Sequence, residues 1–267
     1  MRYRRLNLLH PGNLKLLLES INILKLSIII PARDEEGEIE LTLTRIHNNL
    51  EINKVEHEII VINDYSEDST LQILNSLRKK IKELRIINNS GKPGFGCAVR
   101  LGLENYLGDI VAIMMADGSD SPDDLKNFYF KSSENNACVF GTRFSEGGNT
   151  KDYPVIKYIM NRVFNNIVRL IFQIKYDDIT NAFKVYTKEA IEGSKPFLSN
   201  HFNLTLELPL KTIIRGYKHI IIPNSWKNRE TGVSKMKIKE MGSRYMFILF
   251  YCLIEKLLTK DDYKKSR

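Results

Sequence analysis

Val111–Leu125 reads VAIMMADGSDSPDDL, an apolar run of strand length that stops in an acidic turn containing Gly118 and Ser119. Val111–Met115 has the unbroken hydrophobicity of a strand covered on both faces. That is the pattern of a parallel sheet, whose ligands collect beyond the carboxyl ends of the strands. Asp117 falls at that end and is the leading candidate for chemistry. Ser121 suits a helix cap and Pro122 a first helical turn, where Asp123 and Asp124 would offset the helix dipole and need no ligand.

The same β-then-α rhythm repeats on either side of this stretch. Leu26–Ile30, ended by Pro31, His57–Asn63, Leu84–Asn88 and Ala137–Phe140 read as further strands, and helical patterns follow through Asn49, over Leu71–Lys82 and up to Tyr106. Alternating strands and helices predict an α/β fold with a mostly parallel sheet flanked by helices. Past Gly148 the rhythm changes: Pro154–Ile174 and Leu204–Arg215 read as helices, Ala182–Tyr186 and His219–Ile222 as strands. We divide the chain into an N-terminal helical extension (1–24), a main domain (25–243) and an apolar, basic C-terminal segment (244–267).

Composition narrows the function. A chain of 267 residues, 43% hydrophobic, suffices for one large α/β domain. The net charge of +8 and pI near 9.2 point to anionic partners: nucleic acid, an acidic membrane surface or phosphorylated substrates. Cys97, Cys138 and Cys252 form no metal-binding or disulfide pattern, which suits a reducing, cytoplasmic compartment. Tyr245–Leu258 (YMFILFYCLIEKLL) falls short of the ~20 residues that cross a bilayer. It is expected either to lie on the cytoplasmic membrane face or to pack against the domain. In the first case Tyr245, Phe247, Phe250 and Tyr251 sit in the interface, with Lys256, Lys260, Lys264, Lys265 and Arg267 at the headgroups.

Three acidic turns follow three predicted parallel strands: PARDE (31–35), NDYSED (63–68) and ADGSD (116–120). Parallel geometry gathers their carboxylates at one sheet edge, where they can accept hydrogen bonds from a nucleoside or hold a divalent cation against a diphosphate. GKPGFGCAVR (91–100) lacks the GxGxxG spacing of a dinucleotide fingerprint, because Val99 stands where the third glycine belongs. It reads as a turn in which Gly94 lets backbone approach a sugar or phosphate, with Lys92 as a possible phosphate contact.

PARDE, NDYSED, GFG (94–96), MADGSDSP (115–122), GTR (141–143) and WKNRETGVSKM (226–236), in this order from Lys25 to Met241, resemble family 2 glycosyltransferases, in particular their dolichol-phosphate mannose synthase branch. The resemblance implies the glycosyltransferase A fold, a nucleotide-diphosphate sugar donor, Mg2+ or Mn2+, and inversion at the anomeric carbon. It also implies a polyprenyl phosphate or glycan acceptor, with no nucleic acid involved. By the same resemblance Pro31, Arg33 and Glu35 lie beside the nucleoside and Asp64 contacts the base. Ala116 and Asp117 belong to the Asp-x-Asp metal motif, Arg143 faces the diphosphate or acceptor, and Asp178 and Thr180 line the cleft. Arg229, Ser234 and Lys235 belong to a loop over the phosphates.

The sequence departs from the pattern at Met115, which replaces the first acid of Asp-x-Asp, and a thioether is a poor ligand for a hard cation. Asp120 or Ser119 is the expected helper of Asp117, or Arg143, Arg229 and Lys235 supply the positive charge instead. Asn63 and Tyr65 also replace an acid and a glycine of the second turn. A hydroxyl acceptor requires a carboxylate base, for which Asp178 and Glu207 are the candidates, whereas an ionised phosphate acceptor requires none. Two rivals stand beside this reading: a nucleotidyltransferase, for which PARDE is the wrong loop, and a catalytically silent nucleotide-binding relative.

Overall fold

The structure, a computed structural model, describes residues 24–228, 238–258 and 262. Its strands are β1 (Leu26–Ala32), β2 (His57–Asn63), β3 (Leu84–Asn88), β4 (Ile110–Ile113), β5 (Cys138–Thr142), β6 (Asn149–Lys151), β7 (Lys184–Thr187), β8 (His219–Pro223) and β9 (Ser225–Lys227). Its helices are α1 (Ile39–Ile52), α2 (Thr70–Leu77), α3 (Phe95–Asn105), α4 (Pro122–Asn135), α5 (Val155–Phe172), α6 (Lys188–Gly193), α7 (Leu204–Ile214) and α8 (Ile238–Leu258). The expected extension over 1–24 lies almost wholly outside the described residues.

Seven strands form one sheet in the order β3-β2-β1-β4-β7-β5-β8, and β6 pairs with β9 in a small second sheet. β3, β2, β1 and β4 run parallel, β7 runs antiparallel to both β4 and β5, and β8 runs parallel to β5. This is the expected mostly parallel sheet with one strand reversed. Because β5 is antiparallel to an antiparallel neighbour, its carboxyl end lies at the same edge as that of β4. The chain proceeds from β1 to β2 and β3 on one side and returns to β4 on the other, so the crevice between β1 and β4 is a topological switch point.

Alternation along the strands explains the double cover. Ile28 and Ile30 of β1 join a core with Ile59, Val61, Ala112, Phe183, Val185, α1 and α4, while Ile29 points into the opposite core with Val111, Phe140, Val168, Leu206, Ile248 and Cys252. Ile60 and Ile62 pack against Ala98 of α3. Helix α7 is buried from Leu204 to Thr212, which accounts for its near-continuous hydrophobicity.

Helix α8 settles how the C-terminal segment sits. Ile248, Leu249 and Cys252 are buried, and Arg215 donates to both carboxylate oxygens of Glu255 (2.7 and 3.0 Å). Tyr245 and Tyr251, expected in a membrane interface, face inward. The Tyr245 hydroxyl reaches Thr205 Oγ1 and Phe202 O, both at 3.1 Å, and the Lys211 ammonium lies 4.9 Å from the Tyr251 ring. Lys256 donates to the Phe172 carbonyl (2.7 Å), a cation capping the end of α5. Phe247 and Phe250 do face outward, 61% and 56% exposed. Residue 244, the expected start of the segment, falls within the continuous α8, so no break separates the segment from the domain there. Lys260, Lys264, Lys265 and Arg267 lie outside the described residues. No helix among the described residues is long and apolar enough to cross a membrane.

Candidate functional site

The three acidic turns meet at the carboxyl edge of β1, β2 and β4, as their spacing predicts. β4 is shorter than expected: its pairing with β1 stops at Ile29↔Ile113, and only the Met114 amide reaches further, to Ile29 O (3.1 Å). Pro31 therefore sits in β1 beyond the reach of β4, where its missing N–H breaks no ladder on that side. The first two turns then bind each other. Glu67 N donates to Asp34 Oδ1 (2.7 Å), Asp34 N to Ser66 Oγ (3.1 Å), Glu35 N to Thr70 Oγ1 (2.8 Å) and Ser69 N to Glu36 Oε2 (2.9 Å). Asp34 and Tyr65 both adopt left-handed backbone, φ 51° and 59°. The position where the family pattern has glycine thus keeps a glycine-like conformation. Arg33 is exposed at the tip of its turn, with Nε 4.0 Å from Asp34 Oδ2.

Asp64 already has partners within the fold. Its Oδ1 accepts from Asn89 Nδ2 (2.7 Å) and its Oδ2 from Gly94 N (2.8 Å), so it braces the glycine-rich turn. The close approach that Gly94 permits is likewise internal: a Cβ there would lie 2.5 Å from Asn200 O, and one on Gly96 2.5 Å from Ser199 O. Lys92 is exposed at the mouth of this turn.

At the central turn Ala116 and Asp117 are buried, and Ser119 N donates to Asp117 Oδ1 (3.1 Å). Asp120, an expected helper, is committed elsewhere: its Oδ2 accepts from Met115 N (2.9 Å), and burial pushes its pKa up to about 7. Met115 is half-buried beside it. Asp117 thus fits a hard cation that draws most of its oxygen ligands from a bound diphosphate, and does not complete a cation site alone. Asp123 and Asp124 are structural, as their helix position suggests. Asp123 meets Asn49 and Lys126, and Asp124 accepts from Ser225 N and Oγ (2.8 and 2.6 Å). Lys227 N donates to Ser119 O (3.1 Å), and Trp226 bridges Asp120, so β9 leads the chain directly past the acidic turn. Arg229, Ser234 and Lys235, which follow, lie outside the described residues.

The opposite wall rises from the end of β5. Arg143 is buried and grips Asp178 with Nε–Oδ2 and Nη2–Oδ1 contacts of 2.8 Å each, while its backbone N donates to the same carboxylate (3.1 Å). Burial alone would raise the Asp178 pKa, but the guanidinium outweighs it and holds the carboxyl below its ordinary value. The Arg143 guanidinium also lies over Phe144 and Tyr153, 5.2 and 5.5 Å from their centroids. Thr180 accepts from Asn161 and Asn165 of α5. Both candidate bases are therefore held: Asp178 by Arg143, and the fully buried Glu207 by Lys211 (2.9 Å) and by the amides of Leu198 and Ser199.

Sequence reading missed Lys184, Asp177 and Arg162. Lys184 opens β7 between the ends of β4 and β5, fully buried, donating to the carbonyls of Ile179 and Asn181. Burial lowers its pKa to about 7, against the pull of Asp178. Its one visible signal is a lysine inside the apolar run AFKVY. Asp177 accepts from Thr142 Oγ1 (2.8 Å) and Arg162 (3.2 Å), closing the wall.

Residues 27–194 match the family described as glycosyl transferase family 2. A polyprenol monophosphomannose synthase of Mycolicibacterium smegmatis is 24% identical over 215 residues, 78% of this chain and 80% of the relative. A dolichol-phosphate mannosyltransferase of Pyrococcus furiosus is 25% identical over 218 residues, 81% of this chain but only 60% of that longer relative. Among solved structures, glucosyl-3-phosphoglycerate synthase of Mycobacterium tuberculosis in complex with UDP superposes with TM-score 0.63 at 16% identity, covering 95% of this chain and 86% of that one. The same enzyme with Mn2+, UDP and phosphoglyceric acid gives 0.63 at 17%, covering 96% and 84%. At such identities these structures speak to the fold, which is that of the A-type glycosyltransferases.

Proposed function

The chain belongs to glycosyl transferase family 2, and from that premise we propose that it moves a sugar from a nucleotide-diphosphate donor to a polyprenyl phosphate at a membrane surface. One observation carries the choice of acceptor: the two candidate bases, Asp178 and Glu207, are sealed in buried ion pairs, and the half-buried Asp177 beside them is tied to Arg162 and Thr142. A hydroxyl acceptor needs such a base, while a phosphate oxygen arrives already ionised. In this reading the acceptor oxygen attacks the anomeric carbon as the bond to the diphosphate breaks on the opposite face. Nucleoside diphosphate leaves, and configuration inverts.

Asp117 is the group that would hold Mg2+ or Mn2+ against the donor diphosphate. Bound there, the ion neutralises charge developing on the leaving group. Pro31, Arg33, Glu35 and the Asp64-braced turn would flank the nucleoside, and Arg229 and Lys235 would add positive charge along the phosphates, while Arg143, expected there too, is neutralised by Asp178 and instead holds the wall together. The membrane reading is supported by exposed apolar side chains on the neighbouring helices α5 and α8, among them Ile156, Val163, Leu170, Phe247, Phe250 and Leu257. In this reading the protein is a peripheral one on the cytoplasmic membrane face.

The test supplies the purified chain with nucleotide-diphosphate sugars, manganese and a short-chain polyprenyl phosphate or a soluble oligosaccharide. Sugar appearing on the lipid phosphate supports the proposal. Transfer to the oligosaccharide with the lipid phosphate ignored replaces it with glycan transfer, and no turnover of any donor indicates a silent relative. Phe247→Ser with Phe250→Ser should abolish flotation with anionic liposomes. Unchanged flotation, or a dimer that dissociates in this variant, removes the membrane argument.

A further inference from the structure

At the sheet edge opposite the acidic turns, four side chains converge: His47 and Glu51, one turn apart near the end of α1, His57 at the start of β2, and Glu83 just before β3. One ligand atom from each lies within 4.8 Å of all the others. We propose that this cluster is a zinc site that staples the end of α1 to the starts of β2 and β3.

His57 carries the argument. It is buried, and its Nδ1 lies 2.8 Å from Val55 O, a carbonyl that can only accept. The proton must therefore sit on Nδ1, which leaves a lone pair on Nε2. That Nε2 is buried and has no hydrogen-bond partner. A buried polar atom left so costs about 1–3 kcal/mol, whereas an imidazole with one nitrogen tethered to a carbonyl and the other bare is how proteins present histidine to a metal. His47 Nδ1 is likewise buried without a hydrogen bond, 3.5 Å from Glu83 Oε2.

The donor set decides which ion. Two imidazole nitrogens and two carboxylate oxygens suit tetrahedral Zn2+ and not the all-oxygen shells of Mg2+ or Ca2+. Two carboxylates balance the ion's charge. Tetrahedral bonds to N and O place ligand atoms about 3.3 Å apart, so the longest separations must contract. Glu51 is exposed and Glu83 half-buried, and both are free to rotate inward and to admit the ion. The cluster is separated from the acidic turns by the length of β2, roughly 20 Å at the strand rise, so its occupancy is independent of the donor and acceptor assignments.

Calorimetric titration of the chelator-treated full chain with zinc chloride tests this. We expect one zinc per chain at this site, a visible spectrum of tetrahedral type when cobalt replaces it, and a higher melting temperature with zinc. His57→Gln should weaken binding by about 10–100-fold and erase the thermal shift, while Asp117→Asn should leave both unchanged. Should His57→Gln fail to fold, Glu51→Gln at its exposed position should weaken zinc binding in the same direction. No zinc uptake means that His47 and Glu83 form only an ion pair. That outcome overturns the proposal, as does binding insensitive to His57→Gln and Glu51→Gln or lost with Asp117→Asn.

Discussion

The two walls of the cleft are made of opposite materials. The wall from β1, β2 and β4 consists of carboxylates and hydroxyls that accept backbone N–H groups from one another's turns. The wall from β5 and the loop before β7 is held by cations, with Arg143 clamped to Asp178 and Lys184 beneath them. On the first wall charge is spread over turn amides, and one carboxylate at the switch point, Asp117, stays next to the crevice. On the second, charge is cancelled pairwise out of water. Substitutions on the first should therefore damage chemistry more than stability, and on the second stability first.

Asp117→Asn should show the contrast most strongly, lowering turnover by about a thousandfold or more while the melting temperature barely moves. Wild-type rates at saturating manganese would show that the acidic wall has been misread. Next come Arg143→Met and Asp178→Asn, each leaving its partner buried without a counter-charge, which costs about 3–5 kcal/mol of stability. Asp64→Asn on the first wall forfeits one charge-assisted hydrogen bond and should cost about 2 kcal/mol. Urea denaturation compares the three directly, and equal losses would erase the distinction between the walls.

Asp120 sharpens it through pH. Its carboxyl is raised to about 7 by burial, so between the ordinary value near 4 and that point the folded protein holds a proton that the unfolded chain has released. Its contribution is therefore full below the unfolded value and declines as pH rises through this window. Asp120→Asn should gain on the parent by about 4 kcal/mol between pH 4 and pH 8. A pH-independent difference in urea midpoints would contradict the buried, protonated state. Smallest is Met115→Asp, which should tighten manganese binding about tenfold by restoring a carboxylate. Equal affinities by calorimetry would make Met115 a packing residue only.

What was legible in the chain follows from the range of the forces involved. Apolar runs closed by acidic turns located β1, β2, β4 and Asp117, because strand burial and turn chemistry are local. The β6–β9 pair was invisible, since Asn149–Lys151 and Ser225–Lys227 are short, polar strands that exist through each other. The Arg143–Asp178 clamp joins residues 35 apart, and no local pattern announces it. Gly94 and Asp64 are legible as special, but not their partners within the fold: Asp64 braces Asn89 and the Gly94 amide, and Gly94 lies close against the loop at Asn200. In α8 the apolar stretch was correctly noticed, but only packing shows which aromatic rings turn inward.

The two cores on either face of the sheet also impose an order on biosynthesis. The core containing Ile28 and Ile30 needs no residue beyond Val185, apart from the flanking Ile220 and Ile222, whereas the core containing Ile29 requires Ile248, Leu249 and Cys252. As the chain emerges from the ribosome, the layer carrying α1 and α4 can condense first. The other face stays open until α8 is released, so the nascent protein exposes that apolar surface all the while the stretch from Val185 to α8 is being made.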